Sequence, residues 1–195
     1  FFPAAAAYGI WVLPAWVMSL LGSGGALPGL AWPAGHAHEM IFGFALAVIS
    51  GHQLGPMQPR SLWFLLVLWA SARIAFVLAP QSMGAMAANV AYAVLLGVRL
   101  VPRLLVSAKK PRNLALPAAL GAICASAITL HVALRAGSTP GVHAALAVAI
   151  PLLALLLLFM GGRLIAAAVA GQLYRQGDRL AARVQPRIEG ALIVS

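Results

Sequence analysis

Acidic residues are scarce in this sequence, which contains only Glu39, Asp178 and Glu189 among 195 residues. Charged residues of both signs make up 8% of the chain, whereas a soluble domain normally carries about a quarter. The single cysteine, Cys124, excludes an internal disulfide. Because 63% of the residues are hydrophobic, these shortages indicate a protein that lies in a membrane.

The motifs of hydrolytic and nucleotide-binding enzymes are also missing. The sequence has no Walker loop, no Cys/His zinc spacing, no G-x-S-x-G turn and no H-E-x-x-H helix. The pair His38-Glu39 lacks the second histidine that a zinc protease carries four residues after the first. We therefore expect no hydrolase. Whether the chain is an enzyme at all stays open, and any activity would be redox chemistry.

Basic residues outnumber acidic ones and give a net charge of +10. In a membrane protein such an excess is typical of cytoplasmic connections and of contact with anionic lipid. We therefore expect the lipid bilayer as a partner and no nucleic acid.

Six apolar runs are long enough to cross a bilayer, which takes about 20 residues per helix. Glycine, proline and basic residues separate these runs. The predicted spans are about 4–22, 37–55, 61–79, 84–104, 114–135 and 141–166. The pattern predicts an all-α integral membrane protein, a bundle of about six transmembrane helices.

The basic residues alternate between the predicted connections. Most lie between the fourth and fifth spans or after the sixth, and none lies in the first or third connection. The positive-inside rule then predicts that both termini are cytoplasmic. On this interpretation residues 1–167 form the transmembrane domain, and residues 168–195 form a basic amphipathic cytoplasmic tail.

Four of the five histidines fall at one predicted depth, near the outer face. His36 and His38 begin the second span, His131 lies near the outer end of the fifth, and His143 begins the sixth. Polar residues in lipid are costly and tend to mark function, and imidazole binds both haem iron and copper. The four are candidate metal ligands, with interfacial histidines that bond only to backbone carbonyls as the alternative. His52, about 21 Å further along the helix at 1.5 Å per residue, is interpreted as interfacial.

Three charged residues fall within or beside the predicted spans. Glu39 could orient a ligand histidine, relay protons or cap the second helix. Arg73 lies inside the third span and needs an anion, which could be Glu39 or a haem propionate. Arg163, near the inner end of the sixth span, could extend to the membrane surface.

Several motifs resemble the NnrS family, membrane proteins associated with the bacterial response to nitric oxide. The most specific is the H-x-H-E-M block that begins at His36. The matching stretches, in chain order, are Phe1-Phe2-Pro3, His36-Ala37-His38-Glu39-Met40-Ile41-Phe42-Gly43-Phe44-Ala45, Leu68-Trp69-Ala70-Ser71-Ala72-Arg73, Arg112-Asn113-Leu114, Leu130-His131 and Gly161-Gly162-Arg163.

The resemblance implies a multi-pass protein of the bacterial inner membrane that contains haem b and copper and serves the nitric oxide response or electron transfer. Within it we expect His38 and His131 as the axial pair of a haem, with Arg73 on a propionate. His143 could replace either histidine or join His36 in a copper site. The further positions that the resemblance marks as supporting residues are Glu39 and Arg163.

Members of the family typically have about twice as many spans, so the resemblance is to their N-terminal half. It therefore implies a homo-oligomer or a subunit of a larger membrane complex. Two other functions stay open at this point. One is a non-catalytic accessory subunit that binds lipid or quinone within a membrane oxidoreductase. The other is a small transporter with Glu39 and Arg73 as a coupling pair.

Overall fold

The computed structural model describes residues 1–22, 27–109 and 111–176, and the regular structure in these ranges is entirely helical. A 3-10 turn at Pro111–Leu114 precedes α6. The α-helices are α1 (Phe2–Leu20), α2 (Pro33–His38), α3 (Leu46–Gln53), α4 (Pro59–Leu78), α5 (Met83–Ser107), α6 (Ala115–Arg135) and α7 (Thr139–Arg175).

The second predicted span is one continuous helix with an irregular middle. Between α2 and α3 lies a π-helical stretch, Glu39–Ala45, which we call the π segment. Its flanking residues, His38 and Leu46, both have right-handed helical backbone angles, so the helix does not break on either side. Wider i→i+5 turns of this kind are rare in proteins overall. Where they occur, they often lie at functional sites.

The six predicted spans all coincide with helices. Five of the helices, α1, α4, α5, α6 and α7, are long and apolar enough to cross a membrane. The helix formed by α2, the π segment and α3 is not among these five, because the π segment divides it into short regular pieces. The chain is thus all-helical in the part that the structure describes, with the composition of a multi-pass membrane protein.

The predicted boundary after residue 167 coincides with no break in the chain. Residues 168–175 continue α7 to Arg175. The remainder of the predicted amphipathic tail, residues 177–195, lies outside the described residues, so the tail itself stays a prediction.

Local sequence signals explain where several helices begin. Pro33 and Pro59 lie in the first turns of α2 and α4, where a missing N–H costs nothing. Ser82 caps α5 by accepting the Ala85 N–H at 3.1 Å. Ser138 caps α7 by accepting the Gly141 N–H at 3.2 Å. Side-chain oxygens in these positions satisfy backbone donors that the first helical turn leaves free.

Consecutive helices pack side by side from α4 to α7, and α2 contacts α7 across the bundle. α1 packs on the π segment and on α3. The shared core is aliphatic and aromatic. Its largest fully buried side chains include Tyr92, Phe42, Phe76, Leu46, Leu65, Leu96, Leu100, Leu120, Ile123 and Leu130.

The loop that leads into α2 is fixed against the end of α4 by a close backbone approach at Gly29. Its N–H donates to the Val77 carbonyl at 3.0 Å. A Cβ at Gly29 would lie 2.3 Å from the Phe76 carbonyl oxygen and 2.8 Å from the Val77 Cα. Only glycine fits here, and the contact holds Phe76 beside the start of the second helix.

We expect Gly29→Ala to lower the free energy of unfolding by about 2–3 kcal/mol, because the added methyl collides with backbone that cannot rotate away. Gly84→Ala is the matched control, since the nearest atom to its Cβ is the Ser82 Oγ at 3.9 Å. Unfolding of the purified protein in mixed detergent micelles measures both changes. Equal effects of the two substitutions would contradict the close approach.

Candidate functional site

Two of the predicted ligand histidines meet in the core. His38 ends α2, His131 lies in α6, and both side chains are 1% exposed. Their Nε2 atoms are 3.0 Å apart, and the ring planes are nearly perpendicular at 87°. We call these two residues the histidine pair. At this distance the two nitrogens form a hydrogen bond, so one of them carries a proton and the other does not.

An aromatic ring holds the histidine pair on one side. Phe76 stacks on His38 with ring centroids 3.6 Å apart and planes at 16°. The same ring meets His131 edge-on at 5.8 Å. The Gly29 contact at the neighbouring Val77 therefore also fixes the ring that packs against both imidazoles.

Glu39 binds the other side of His38. One carboxylate oxygen, Oε1, lies 3.0 Å from the His38 Nδ1, and the Glu39 side chain is fully buried. Because a carboxylate only accepts hydrogen bonds, Nδ1 of His38 carries the proton and donates it. The neutral His38 ring then presents the lone pair of Nε2 to His131, which must donate its own Nε2–H.

Arg73 from α4 neutralises Glu39. Its Nη1 donates to both carboxylate oxygens, at 3.0 Å and 2.9 Å. The sequence suggested either Glu39 or a haem propionate as the anion for this arginine. In the structure, Glu39 contacts it. Glu39 lies well after Pro33, where the continuous helix begins, so capping of the helix is not its role. It contacts His38 instead, as the orienting role requires.

Two further polar side chains complete the network, and the sequence did not single them out as site residues. The Tyr8 hydroxyl of α1 donates to the second oxygen of Glu39. The Asn89 side chain of α5 accepts from the Arg73 Nη2 and donates to the carbonyls of Ala72 at 3.2 Å and Ala85 at 2.8 Å. A lone amide in the apolar run of α5 was the signal that could have identified Asn89.

The π segment provides the space for this ion pair. A Cβ at Gly43 would lie 2.7 Å from the Glu39 Oε2 and 2.8 Å from the Arg73 Nη1. The Gly43 carbonyl also accepts the Trp69 indole N–H at 2.9 Å. The carboxylate and the guanidinium thus pack directly on a bare stretch of backbone, which a larger residue at this position would obstruct.

The other predicted ligands do not join the histidine pair. His36 is partly exposed and stacks on Trp16 at 3.9 Å, on another side of the helix from His38, as the i, i+2 spacing requires. His143 on α7 and His52 on α3 are exposed. In the described ranges, no three His, Cys, Asp or Glu side chains are arranged to hold a metal ion. The Arg163 side chain lies outside what the structure describes.

A protein-family model described as NnrS protein matches residues 1–195, the whole chain. The chain belongs to the NnrS family. This confirms the resemblance that the H-x-H-E-M block indicated. Searches of curated proteins and of solved structures found no match.

The histidine pair of this NnrS chain fits a single metal ion better than a haem between the two rings. Two imidazole–metal bonds of about 2 Å each place in-line nitrogens about 4 Å apart. The Nε2 atoms are 3.0 Å apart, so the rings would separate by about 1 Å to admit an ion. A haem needs the same separation and also a flat slot, where Phe76 now packs against both rings.

One atom of the pair has no partner and is relevant to this fit. The Nδ1 of His131 is buried and makes no hydrogen bond within the described residues. If the Nε2 proton of His131 moves to Nδ1, the Nε2 lone pair becomes free to bind a cation beside that of His38. The donor set therefore suits a metal ion without loss of a proton from the pair.

We expect the buried ion pair to dominate the stability of this site. Arg73→Met should lower the free energy of unfolding by about 3–5 kcal/mol, because it leaves the Glu39 charge buried without a cation. Glu39→Gln combined with Arg73→Met should recover part of this loss, since both charges are then absent. Unfolding of the wild type, the two single variants and the double variant in mixed micelles measures this double-mutant cycle.

Arg103→Met is the control for that cycle. Arg103 is exposed and donates only to the Leu54 carbonyl, at 3.0 Å, among the contacts that the structure gives it. Its loss should change the free energy of unfolding by less than about 1 kcal/mol. A double variant as unstable as the sum of both single variants would show that the two charges do not interact.

Proposed function

We propose that this NnrS-family chain is a redox metalloprotein in which His38 and His131 bind one metal ion in the membrane core, with copper as the first candidate. The observation that carries the proposal is the histidine pair itself, two fully buried imidazoles whose Nε2 atoms face each other at 3.0 Å. A buried histidine is costly in an apolar bundle, and a metal ion is a common reason to keep one there.

Glu39 supports this role because it fixes the tautomer of His38. By accepting the Nδ1–H at 3.0 Å it directs the Nε2 lone pair away from itself and towards His131. Ligand histidines commonly donate their second N–H to a carboxylate, which also raises their basicity. Arg73 and Tyr8 hold that carboxylate in place from α4 and α1.

Copper bound at the histidine pair would supply one-electron redox chemistry and a centre that can bind nitric oxide. The residues of this chain provide a dry site, because both histidines, Phe76 and Glu39 are at most 1% exposed. We propose nitric oxide response or electron transfer as the role. The support is the NnrS family match together with this buried pair.

Haem b is the second candidate for the metal centre. A cleft of about 660 Å³ lies between the α4–α5 and α6–α7 connections, and Leu134 is among its lining residues. Leu134 lies one helical turn beyond His131. This cleft offers room for a larger group one helical turn from His131.

We further propose a bacterial inner-membrane location with both termini cytoplasmic, supported by the distribution of basic residues between the connections. Assembly into a homo-oligomer or a larger membrane complex is part of the same proposal.

Elemental analysis and a reduced-minus-oxidised absorption spectrum of the purified protein test the metal proposal. We expect about one copper per chain, or iron with a b-type α-band if haem is the occupant. His38→Ala and His131→Ala should each lose most of the copper. His143→Ala is the matched control and should retain it, because this histidine is exposed on α7.

One observation favours a different function, a non-catalytic accessory subunit. The described residues contain no group of three metal-binding side chains, so the histidine pair could serve only as a buried hydrogen bond between α2 and α6. Wild-type protein that is folded but free of both copper and iron would support this alternative. Equal metal content in the His38→Ala variant would also argue against the proposed site.

The orienting role of Glu39 has its own test. We expect Glu39→Gln to weaken metal binding by about 10–100-fold, because a neutral amide no longer fixes the His38 tautomer. Competition with a chelator of known affinity measures the change. Unaltered affinity in a folded Glu39→Gln protein would leave Glu39 only a structural partner of Arg73.

A further inference from the structure

A crevice between α1 and α4 opens beside the buried ion pair. It encloses about 390 Å³, and its lining includes Tyr8, Trp11, Trp69, Ala70, Arg73 and Ile74. Trp11 and Ile74 at its mouth are 50% and 60% exposed, so in a membrane it opens towards lipid. We propose that this α1–α4 crevice binds the ring of a membrane quinone.

Arg73 is the one charged residue that lines the crevice, and its buried guanidinium lacks one hydrogen-bond acceptor among the described residues. Arg73 is 3% exposed, and its Nη1 and Nη2 donate to Glu39 and Asn89. Its third nitrogen, Nε, is buried, and the Nε–H has no acceptor among the described residues. A buried donor without a partner is costly. A ligand carbonyl that reached Arg73 would remove this deficit.

The charge around Arg73 favours a neutral ligand over an anionic lipid headgroup. Glu39 already neutralises Arg73, with both oxygens within 3.0 Å of Nη1. A carboxylate or phosphate at the Nε–H would bring a second negative charge close to Glu39 in a medium of low dielectric constant, where like charges repel strongly. A quinone carbonyl accepts the same hydrogen bond without that repulsion.

The walls of the crevice suit a flat ring with an apolar tail. Tyr8 packs edge-on against Trp69 at 5.5 Å and tilted against Trp11 at 6.0 Å. Aromatic side chains prefer such offset and edge contacts with other rings. The volume lies in the range of small-molecule sites, about 300–1,000 Å³. The tail of a quinone would leave through the mouth into lipid.

The α1–α4 crevice and the histidine pair are separate sites, and neither requires the other to be filled. The crevice nevertheless lies close to the proposed metal ligands, because Arg73 contacts Glu39 and Glu39 contacts His38. A quinone bound at Arg73 would be separated from the histidine pair by a single carboxylate.

Quenching of tryptophan fluorescence by a short-tailed ubiquinone analogue tests the site in the purified full chain. Trp11 and Trp69 line the crevice, so binding should quench fluorescence saturably. Ala70→Leu fills the space between α1 and α4 and should weaken binding at least tenfold. Ala87→Leu is the matched control, because Ala87 is exposed on α5, and it should leave binding unchanged.

Arg73→Lys tests the hydrogen bond to the quinone separately from the volume of the crevice. Lysine keeps a positive charge beside Glu39 but lacks the Nε–H. We expect at least fivefold weaker binding and loss of the downshifted carbonyl band that the bound quinone shows in infrared difference spectra of the wild type. Unfolding measurements on each variant verify that it is folded.

Two results would overturn the proposal. Unchanged quinone affinity in folded Ala70→Leu protein would show that the quinone binds elsewhere. An effect of Ala70→Leu with none of Arg73→Lys would indicate an acyl chain as the natural occupant, since hydrocarbon needs no donor.

Metal content measured on the same samples separates the quinone proposal from the metal proposal, because we expect Ala70→Leu to retain its metal. Wild-type protein without metal that still binds quinone would contradict the metal proposal alone.

Discussion

The buried ion pair between Glu39 and Arg73 is the constraint on which the rest of this bundle depends. Glu39 is completely inaccessible, and removal of its partner would leave a bare charge in an apolar core. Its carboxylate is contacted from α1 by Tyr8 and from α4 by Arg73, and Asn89 of α5 binds that arginine. Apolar packing alone tolerates rotation and sliding of helices, whereas these directional contacts fix the relative positions of four helices around one side chain.

The same carboxylate determines which histidine of the pair donates the hydrogen bond and which accepts it. Glu39 accepts a hydrogen bond from the Nδ1–H of His38, so the Nε2 of His38 has no proton. That Nε2 must therefore accept the hydrogen bond that His131 donates. That sequence of bonds ends at the Nδ1 of His131, which has no hydrogen-bond partner among the described residues.

The sequence predicted the helices well because span length depends on hydrophobicity, which composition reveals directly. It also brought forward Glu39, Arg73, His38 and His131, since charged and histidine side chains in apolar runs are conspicuous. The i, i+2 spacing of His36 and His38 already indicated that they face different sides of their helix. The sequence could not predict that His143 stays apart from the pair, because hydropathy gives depth but not the rotation of a helix about its axis. The π segment was equally hidden, since i→i+5 turns are rare and no local sequence signal marks them.

Glu39 also links the two proposed sites through one shared charge. Its carboxylate interacts with His38 on one side and with Arg73 on the other. A cation at the histidine pair would attract the carboxylate and weaken its hold on Arg73, so the guanidinium would become a better donor towards the α1–α4 crevice. By linkage, a ligand that engages Arg73 in the crevice must alter the affinity of the pair for a cation by the same factor. Every bond in the path from Arg73 to His131 joins side chains that are already in contact.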